Sequence, residues 1–481
     1  MRKNKRAVLN DLNQQAEESL LFTVESLSHE GRGLSKEPSG KKVFIEGALP
    51  GEVVKVQYTQ GHKRYMEARV TEVITASADR AEALCPHFAQ CGGCLLQHME
   101  QGAQILFKQS MLTEQLKHIT GTEPKEGYLP PVTGPAYAYR KRARLSVKYV
   151  EKKDKVLVGF REKSSSFLVD MNSCVVLDER VGLKIEALKN MIMSLSIRAH
   201  IPQIEVAASD EVVVLIFRFL VDCQAQDLKI IADFCKENQF HFYAQREKID
   251  SIVRIYPPLN ELTQTASSVI SDSAISDVTP SVTPLESQAL PFLYYHLADQ
   301  NVRFAWKSTD FTQINPKINE KMVALALELL DLKSTDQVLD LFCGLGNFTL
   351  PIARKAAAVV GVEGTKEMVL RGNMNASLND IQNASFVCAN LFEDFSEMTW
   401  VKTPFDKILM DPPRLGAEKV VEMIHLFTHV TRIVYVSCHP ATLARDAALL
   451  AQSGFYLVKA GVLDMFPHTQ HVESIALFIK K

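Results

Sequence analysis

The feature that most constrains this chain is a recurrence in its C-terminal part. Residues 338–341, 357–362, 384–388, 405–410 and 432–437 are short, almost unbroken apolar runs, and helical patterns follow most of them. Runs this short and this apolar suit parallel strands buried on both faces. Parallel neighbours require crossover connections, so the pattern predicts a doubly wound, Rossmann-like α/β domain over 291–481. Its ligands are expected at the C-terminal ends of the strands.

The whole chain has 481 residues, enough for about three domains, and its 46% hydrophobic and 23% charged content is globular chemistry. Residues 1–15 are polar and basic and read as a flexible tail. From 16 to 76, Val54, Val56 and Tyr58 alternate with Lys55 and Gln57, and glycines punctuate the region. That is the period of half-buried strands, and a small OB-like β-barrel hides their edges. A central α/β domain is expected over 77–262. Residues 263–290 are set apart: between 263 and 287, eleven of 25 residues are Ser or Thr and none is Lys, Arg or Gly. This segment reads as an insert or linker that builds no core.

The formal net charge of −2 excludes a globally basic nucleic-acid binder, so any such contact must be local. Residues 139–163 supply a patch, with ten Lys or Arg against three Asp or Glu. No run approaches the ~20 apolar residues of a membrane span, no secretory signal follows the basic N-terminus, and a cytoplasmic location is expected. Nine cysteines in a chain of this length do not make a disulfide scaffold.

Asp340-Leu-Phe-Cys-Gly-Leu-Gly-Asn347 follows the first apolar run and opens a helix. There is Gly-x-Gly but no third glycine of the dinucleotide fingerprint, and no P-loop lysine. Glu363, at the end of the next strand, can accept two ribose hydroxyls. An adenosyl ligand without a pyrophosphate fits, S-adenosylmethionine foremost. Asp411-Pro-Pro-Arg414 ends the fourth strand, where the prolines stiffen the backbone. Ser437-Cys-His-Pro440 ends the fifth, so Cys438 is a candidate nucleophile that the following helix N-terminus could activate. Glu473 stands just ahead of a last strand at 475–479. Cys85, Cys91 and Cys94, with Cys174 further on, are enough thiols for zinc or an iron–sulfur cluster. Only one Cys-x-x-Cys pair is present, and an iron–sulfur cluster is preferred. Cys223, Cys235, Cys343 and Cys388 read as core or lining residues.

Taken together these blocks resemble the RNA uracil-C5 methyltransferase family over nearly the whole chain. Glu30-Gly-Arg-Gly33 and Lys42 to Gly51 look like a TRAM domain, an RNA-binding barrel. The resemblance implies that Cys85, Cys91, Cys94 and Cys174 ligate a 4Fe–4S cluster. It implies S-adenosylmethionine contacts from Gln313, Phe342, Asn347, Glu363, Asn390 and Asp411. It further implies that Cys438 adds to carbon 6 of uracil and that Glu473 removes the carbon-5 proton after methyl transfer. The implied partner is 23S rRNA, presented as a loop or unfolded single-stranded uridine, with no membrane and no obligate protein partner. Arg140, Lys141, Arg142 and Arg144, with Arg32, Lys41 and Lys42 on the barrel, are the expected phosphate contacts. The competing readings are a tRNA uracil-C5 methyltransferase and a non-catalytic RNA-binding or redox-sensing iron–sulfur protein. The TRAM block argues against the tRNA reading, because tRNA members of the family typically lack both barrel and cluster.

Overall fold

The computed structural model describes residues 21–246, 248, 251–257 and 292–480. The 1–15 tail and the 263–290 insert lie outside the described residues. Strands β1 (Leu21–Thr23), β2 (Ser26–Leu27), β3 (Gly33–Lys36), β4 (Lys42–Glu46), β5 (Val53–Gly61) and β6 (Tyr65–Thr75) form a sheet in the order β1-β5-β6-β4-β3-β2. β1 pairs with β5 while β2, a few residues on, pairs with β3. The same segment therefore joins both edges and closes the sheet around Phe22, Val43, Ile45, Val54 and Met66. Closure leaves little unpaired edge, as the alternating pattern suggested.

Helix α1 (Gln101–Thr120) follows the cysteine-rich loop. A second six-stranded sheet then runs in the order β12-β11-β10-β9-β7-β8. Its members are β7 (Arg142–Val150), β8 (Lys155–Gly159), β9 (Gln203–Ala208), β10 (Val213–Arg218), β11 (Phe240–Gln245) and β12 (Val253–Tyr256). Helices α2 (Ile185–Met193) and α3 (Ala225–Glu237) pack on it, burying Leu188, Ile192, Ile231 and Cys235.

A hairpin, β13 (Leu293–Leu297) and β14 (Val302–Trp306), precedes helix α4 (Pro316–Leu330) and the third sheet. That sheet contains β15 (Gln337–Leu341), β16 (Ala358–Glu363), β17 (Ala384–Cys388), β18 (Lys407–Met410), β19 (Arg432–Ser437), β20 (Phe455–Leu463) and β21 (Glu473–Lys480). The order is β17-β16-β15-β18-β19-β21-β20, with β15 to β19 parallel and β21 antiparallel to both of its neighbours, β19 and β20. Apolar layers cover both faces, which is why the strands read as continuous hydrophobic runs. The crossovers include α5 (Thr349–Ala353), α6 (Lys366–Leu378) and α7 (Pro440–Gln452).

The N-terminal half is interleaved with this domain. Ile105, Leu112 and Leu116 of α1 share a core with Leu443, Ala447 and Leu450 of α7. Residues 125–132 run alongside β20, Leu129 N–H donating to Ala460 O at 2.7 Å and Val132 N–H to Val462 O at 2.9 Å. Gly461 permits this approach, since a Cβ there would lie 2.7 Å from that of Leu129. The sheet's outer edge is thereby covered. Among the described residues no helix is long and apolar enough to cross a membrane.

Candidate active site

Strand register brings the reactive groups together. β18 stops at Met410 and β19 at Ser437, so Asp411 and Cys438 are the first residues beyond two adjacent parallel strands. β21 runs the other way, with Ser474 opposite Ser437. Continuing that register sets Glu473 opposite Cys438. Glu473 is the first residue of β21 and pairs with Leu463 of β20, rather than standing ahead of the strand. Pairing with β20 overrides the low strand preference of glutamate. Cys438 is half-buried and Glu473 is buried.

The electrostatics of this corner favour protonated groups. Burial, followed by the charges of Glu473 and Asp411, pushes the Cys438 thiol up to about 11, against a smaller downward pull from Arg414. Burial raises Asp411 to about 7. Burial and then the Asp411 charge hold Glu473 well above the usual carboxylate range. His439 is turned away as the cap of α7, its Nδ1 accepting from Thr442 N–H at 3.4 Å.

The glycine loop lies beside this corner, across the β15–β18 switch point where the strand order reverses. Phe342, at φ 62°, and Gly344 and Gly346, at φ 56° and 97°, turn the chain back on itself. A side chain at Gly346 would also meet Phe386 at 2.9 Å. Glu363 accepts from Gly344 N–H at 3.1 Å and Gly364 N–H at 2.8 Å, so the carboxylate borders the loop. Gln313 Nε2 reaches Asp411 Oδ2 at 3.4 Å, linking the segment before α4 to the Asp-Pro-Pro-Arg turn. Phe342 packs against Phe392, and Asn390, exposed after β17, accepts from Phe392 N–H at 3.1 Å. Asn347 is engaged within the protein: it exchanges hydrogen bonds with Asn319 at 2.9 Å and accepts from Tyr295 at 3.0 Å. The cradle suits an adenosyl group, with backbone free to approach on one side and a carboxylate on the other.

Cys85, Cys91, Cys94 and Cys174 are all buried and within electrostatic reach of one another. Burial pushes the Cys94 thiol up to about 12 and raises the other three. The expected metal site is not formed as such: among the described residues no group of three or more His, Cys, Asp or Glu side chains is placed to hold a metal ion. Protonated thiols behave as small apolar side chains, and three of the four pack into the central core. The chemistry of the donor set still fits a thiophilic metal, since four buried thiols need a compensating cation to ionise.

The basic run of the central domain also differs from expectation. Arg142 is a strut: its guanidinium donates to Ser308 O at 2.7 Å and to Asp310 O, gripping the segment that leads to Gln313. Lys141 pairs with buried Asp178 at 2.6 Å, and Arg144 with Glu205 at 3.0 Å. Arg32 pairs with Glu30 and Glu67 and covers Phe44. Sequence shows the charges but not the acids and carbonyls folded against them.

A tRNA (uracil-5-)-methyltransferase family profile matches residues 293–481, and a TRAM domain profile matches 19–71. Proteins from Alcanivorax borkumensis and Hahella chejuensis, each named 23S rRNA (uracil(1939)-C(5))-methyltransferase RlmD, are 44% identical to the chain. The matches cover 95% and 96% of this chain and 96% and 98% of those proteins. The chain belongs to the RNA uracil-C5 methyltransferase family. A solved member, the Pyrococcus abyssi tRNA (uracil-54, C5)-methyltransferase in complex with S-adenosyl-L-homocysteine, shares the fold at a TM-score of 0.68. It is 23% identical, and the match covers 96% of this chain and all of that one. A tRNA methyltransferase of the family can therefore share this architecture from end to end, so the barrel does not by itself argue for rRNA.

Family resemblance and motif reading passed over Asp340. It is fully buried inside β15, its Oδ2 accepts from Thr349 at 2.5 Å, and its Oδ1 has no hydrogen-bond partner among the described residues. Burial, with the charges of Asp411 and Glu363, raises it to about 8. An acid in an otherwise apolar strand was the available signal. Tyr295 and Asn319, which fix Asn347, left no such signal, because the hairpin and α4 meet the glycine loop only in three dimensions.

Proposed function

We propose that the chain methylates carbon 5 of a uridine in 23S rRNA, at the position corresponding to uracil 1939 in its relatives. As a family member it is an S-adenosylmethionine-dependent RNA (uracil-C5)-methyltransferase. The observation that carries the mechanism is the β19–β21 register, which sets Glu473 opposite Cys438 beside the glycine loop.

Carbon 5 of uracil is a poor nucleophile. Cys438 thiolate forms a C–S bond at carbon 6, and the ring electrons move onto the carbon-4 oxygen. The enolate returns them through carbon 5, which takes the methyl group as its bond to the donor sulfur breaks and S-adenosylhomocysteine leaves. Glu473 then removes the carbon-5 proton, the carbon 5–carbon 6 double bond reforms, and the thiolate departs. The donor supplies an electrophilic methyl and a positive charge, and a cation in this crevice favours the ionised forms of Cys438, Asp411 and Glu473. Gln313, Phe342, Glu363 and Asn390 would line the donor. Asn347 holds the loop through Asn319 and Tyr295, and Asp411 holds Gln313. A base must leave its stack to reach Cys438, which favours loop or unfolded rRNA.

Cys85, Cys91, Cys94 and Cys174 would hold a 4Fe–4S cluster, whose contribution is structural cross-linking of the 85–94 loop to the central domain. Support comes from the donor set and its burial. Iron and sulfide analysis of anaerobically purified protein should find about four of each per chain if the cluster is of this type; a zinc-loaded, colourless protein would refute it. For the reaction, mapping 5-methyluridine in rRNA with and without the protein should lose one site. Methylation of tRNA transcripts but not rRNA would overturn the substrate assignment.

A further inference from the structure

We infer that His468, with Gln104 and Lys108, positions Glu473 and ties it to the Cys91–Cys94 turn. The inference rests on Glu473 being the proton-abstracting base. The ladder fixes the chain from Glu473 onward, but the approach to it, residues 464–472, is loop. At its centre His468 adopts φ 66°, a left-handed conformation that residues other than glycine rarely take without outside support.

That support comes from residues more than 300 positions away. Leu95 and Leu96 N–H both donate to His468 O, at 2.8 and 3.0 Å. Leu95 directly follows Cys94. Gln104 uses both ends of its amide: Oε1 accepts from His468 N–H at 2.9 Å, and Nε2 reaches His468 Nδ1 at 3.2 Å. Lys108 donates to Asp464 at 2.7 Å and to Phe466 O at 2.9 Å. Tyr139 OH donates to Pro467 O at 3.1 Å, and Asp464 N–H to Val132 O at 2.8 Å. Gln104, Lys108, Asp464 and His468 are all buried. A buried network this heavily bonded, in which only Asp464 Oδ2 and His468 Nε2 lack a hydrogen-bond partner among the described residues, restricts the loop to few arrangements and resists small displacements. Disturbing the thiol-bearing turn must therefore move the peptide that precedes the base.

Domain packing alone would predict joint loss of every catalytic step. A positioning role predicts a selective loss of proton removal, because among the described residues this loop meets the Asp-Pro-Pro-Arg turn by hydrogen bond only through His471 Nδ1 and Arg414, at 3.1 Å, and not through His468. The test uses the full chain, S-adenosylmethionine with a labelled methyl group, and an rRNA transcript containing the target uridine. Gln104→Leu should accumulate a labelled covalent protein–RNA adduct on denaturing gels, about tenfold over the unaltered protein, with first-turnover methyl transfer nearly unchanged. His468→Asn, which tolerates the left-handed backbone and keeps a polar side chain, should retain most turnover. Hydrogen exchange at the amides of 464–473 should quicken in Gln104→Leu and in Cys94→Ser. Joint loss of adduct and turnover, or unchanged exchange, would overturn the inference. If Glu473→Gln turns over freely, the base assignment fails, and the exchange result alone decides whether the strap exists.

Discussion

The two halves of the crevice are held in different ways. The donor half is built mainly from its own domain: Glu363, the glycine loop and Asn347 take their hydrogen bonds from Tyr295, Asn319, Asn375 and one another, all in the C-terminal domain. The base half is suspended from elsewhere. Its loop is gripped by residues 95–139, and even the segment leading to Gln313 is pinned by Arg142 from the central sheet. One domain thus holds the donor cradle, while the chain's N-terminal half holds the loop ahead of Glu473. The lesson is that neighbouring parts of one crevice can be fixed independently, one locally and one by residues hundreds of positions away.

The sharpest way to break this comparison is at the base. Glu473→Gln should lower turnover by about 10²–10⁴ while donor binding is kept. Stopped reactions should show methylated RNA still attached to Cys438. An equal loss of donor affinity would mean that the two halves are not separable. Next comes the strap's buried ion pair, where both side chains are at 0% exposure. Lys108→Met strands Asp464 without its cation and should cost about 3–5 kcal/mol, read by denaturant unfolding. A negligible change would show that the base loop is held without it. A smaller effect is expected in the donor half. Glu363→Ala removes a charged acceptor and should weaken donor binding by about 1.5–3 kcal/mol in calorimetry, leaving unfolding of the strap region unchanged.

This asymmetry also explains what the sequence could reveal. The five parallel strands were legible within a residue or two, because burial on both faces writes itself into composition. The places of Cys438, Asp411 and Glu363 at strand ends were legible too, because each closes or directly follows one of those apolar runs. The strap was not. Gln104 and Lys108 look like solvent-facing positions of an amphipathic helix, and nothing local marks them as buried partners of residues 356 to 364 positions on. The basic run misled for the same reason: Arg142 carries a charge that a linear reading gives to RNA, whereas its carbonyl partners at Ser308 and Asp310 appear only on folding. The thiols are a third case, since spacing brings them near one another but does not supply the ion that would make four buried thiols converge.

The smallest expected effect concerns protons, and it separates the halves once more. Asp411 is raised from 3.8 to about 7, and Glu473 is held well above the usual carboxylate range, both first by burial. A carboxyl whose folded pKa lies above its unfolded value favours the fold while it is protonated. That contribution is complete below about pH 4, where the unfolded carboxyl also holds its proton, and is lost as pH rises through 7. The ligand-free protein should therefore lose some thermal stability between pH 5 and 8, and Glu473→Gln should flatten the loss because its amide never ionises. Rate should move the opposite way. Cys438 must lose a proton from a thiol held up at about 11, and Glu473 must be free to accept one, so methyl transfer should rise across pH 7 to 9. Arg414→Ala removes the cation that draws the thiol down, and should shift that rise to higher pH with little change in donor affinity. Opposed slopes for stability and rate, both tied to the same corner, are what a base held buried for its chemistry requires; parallel slopes would place the titrating groups elsewhere.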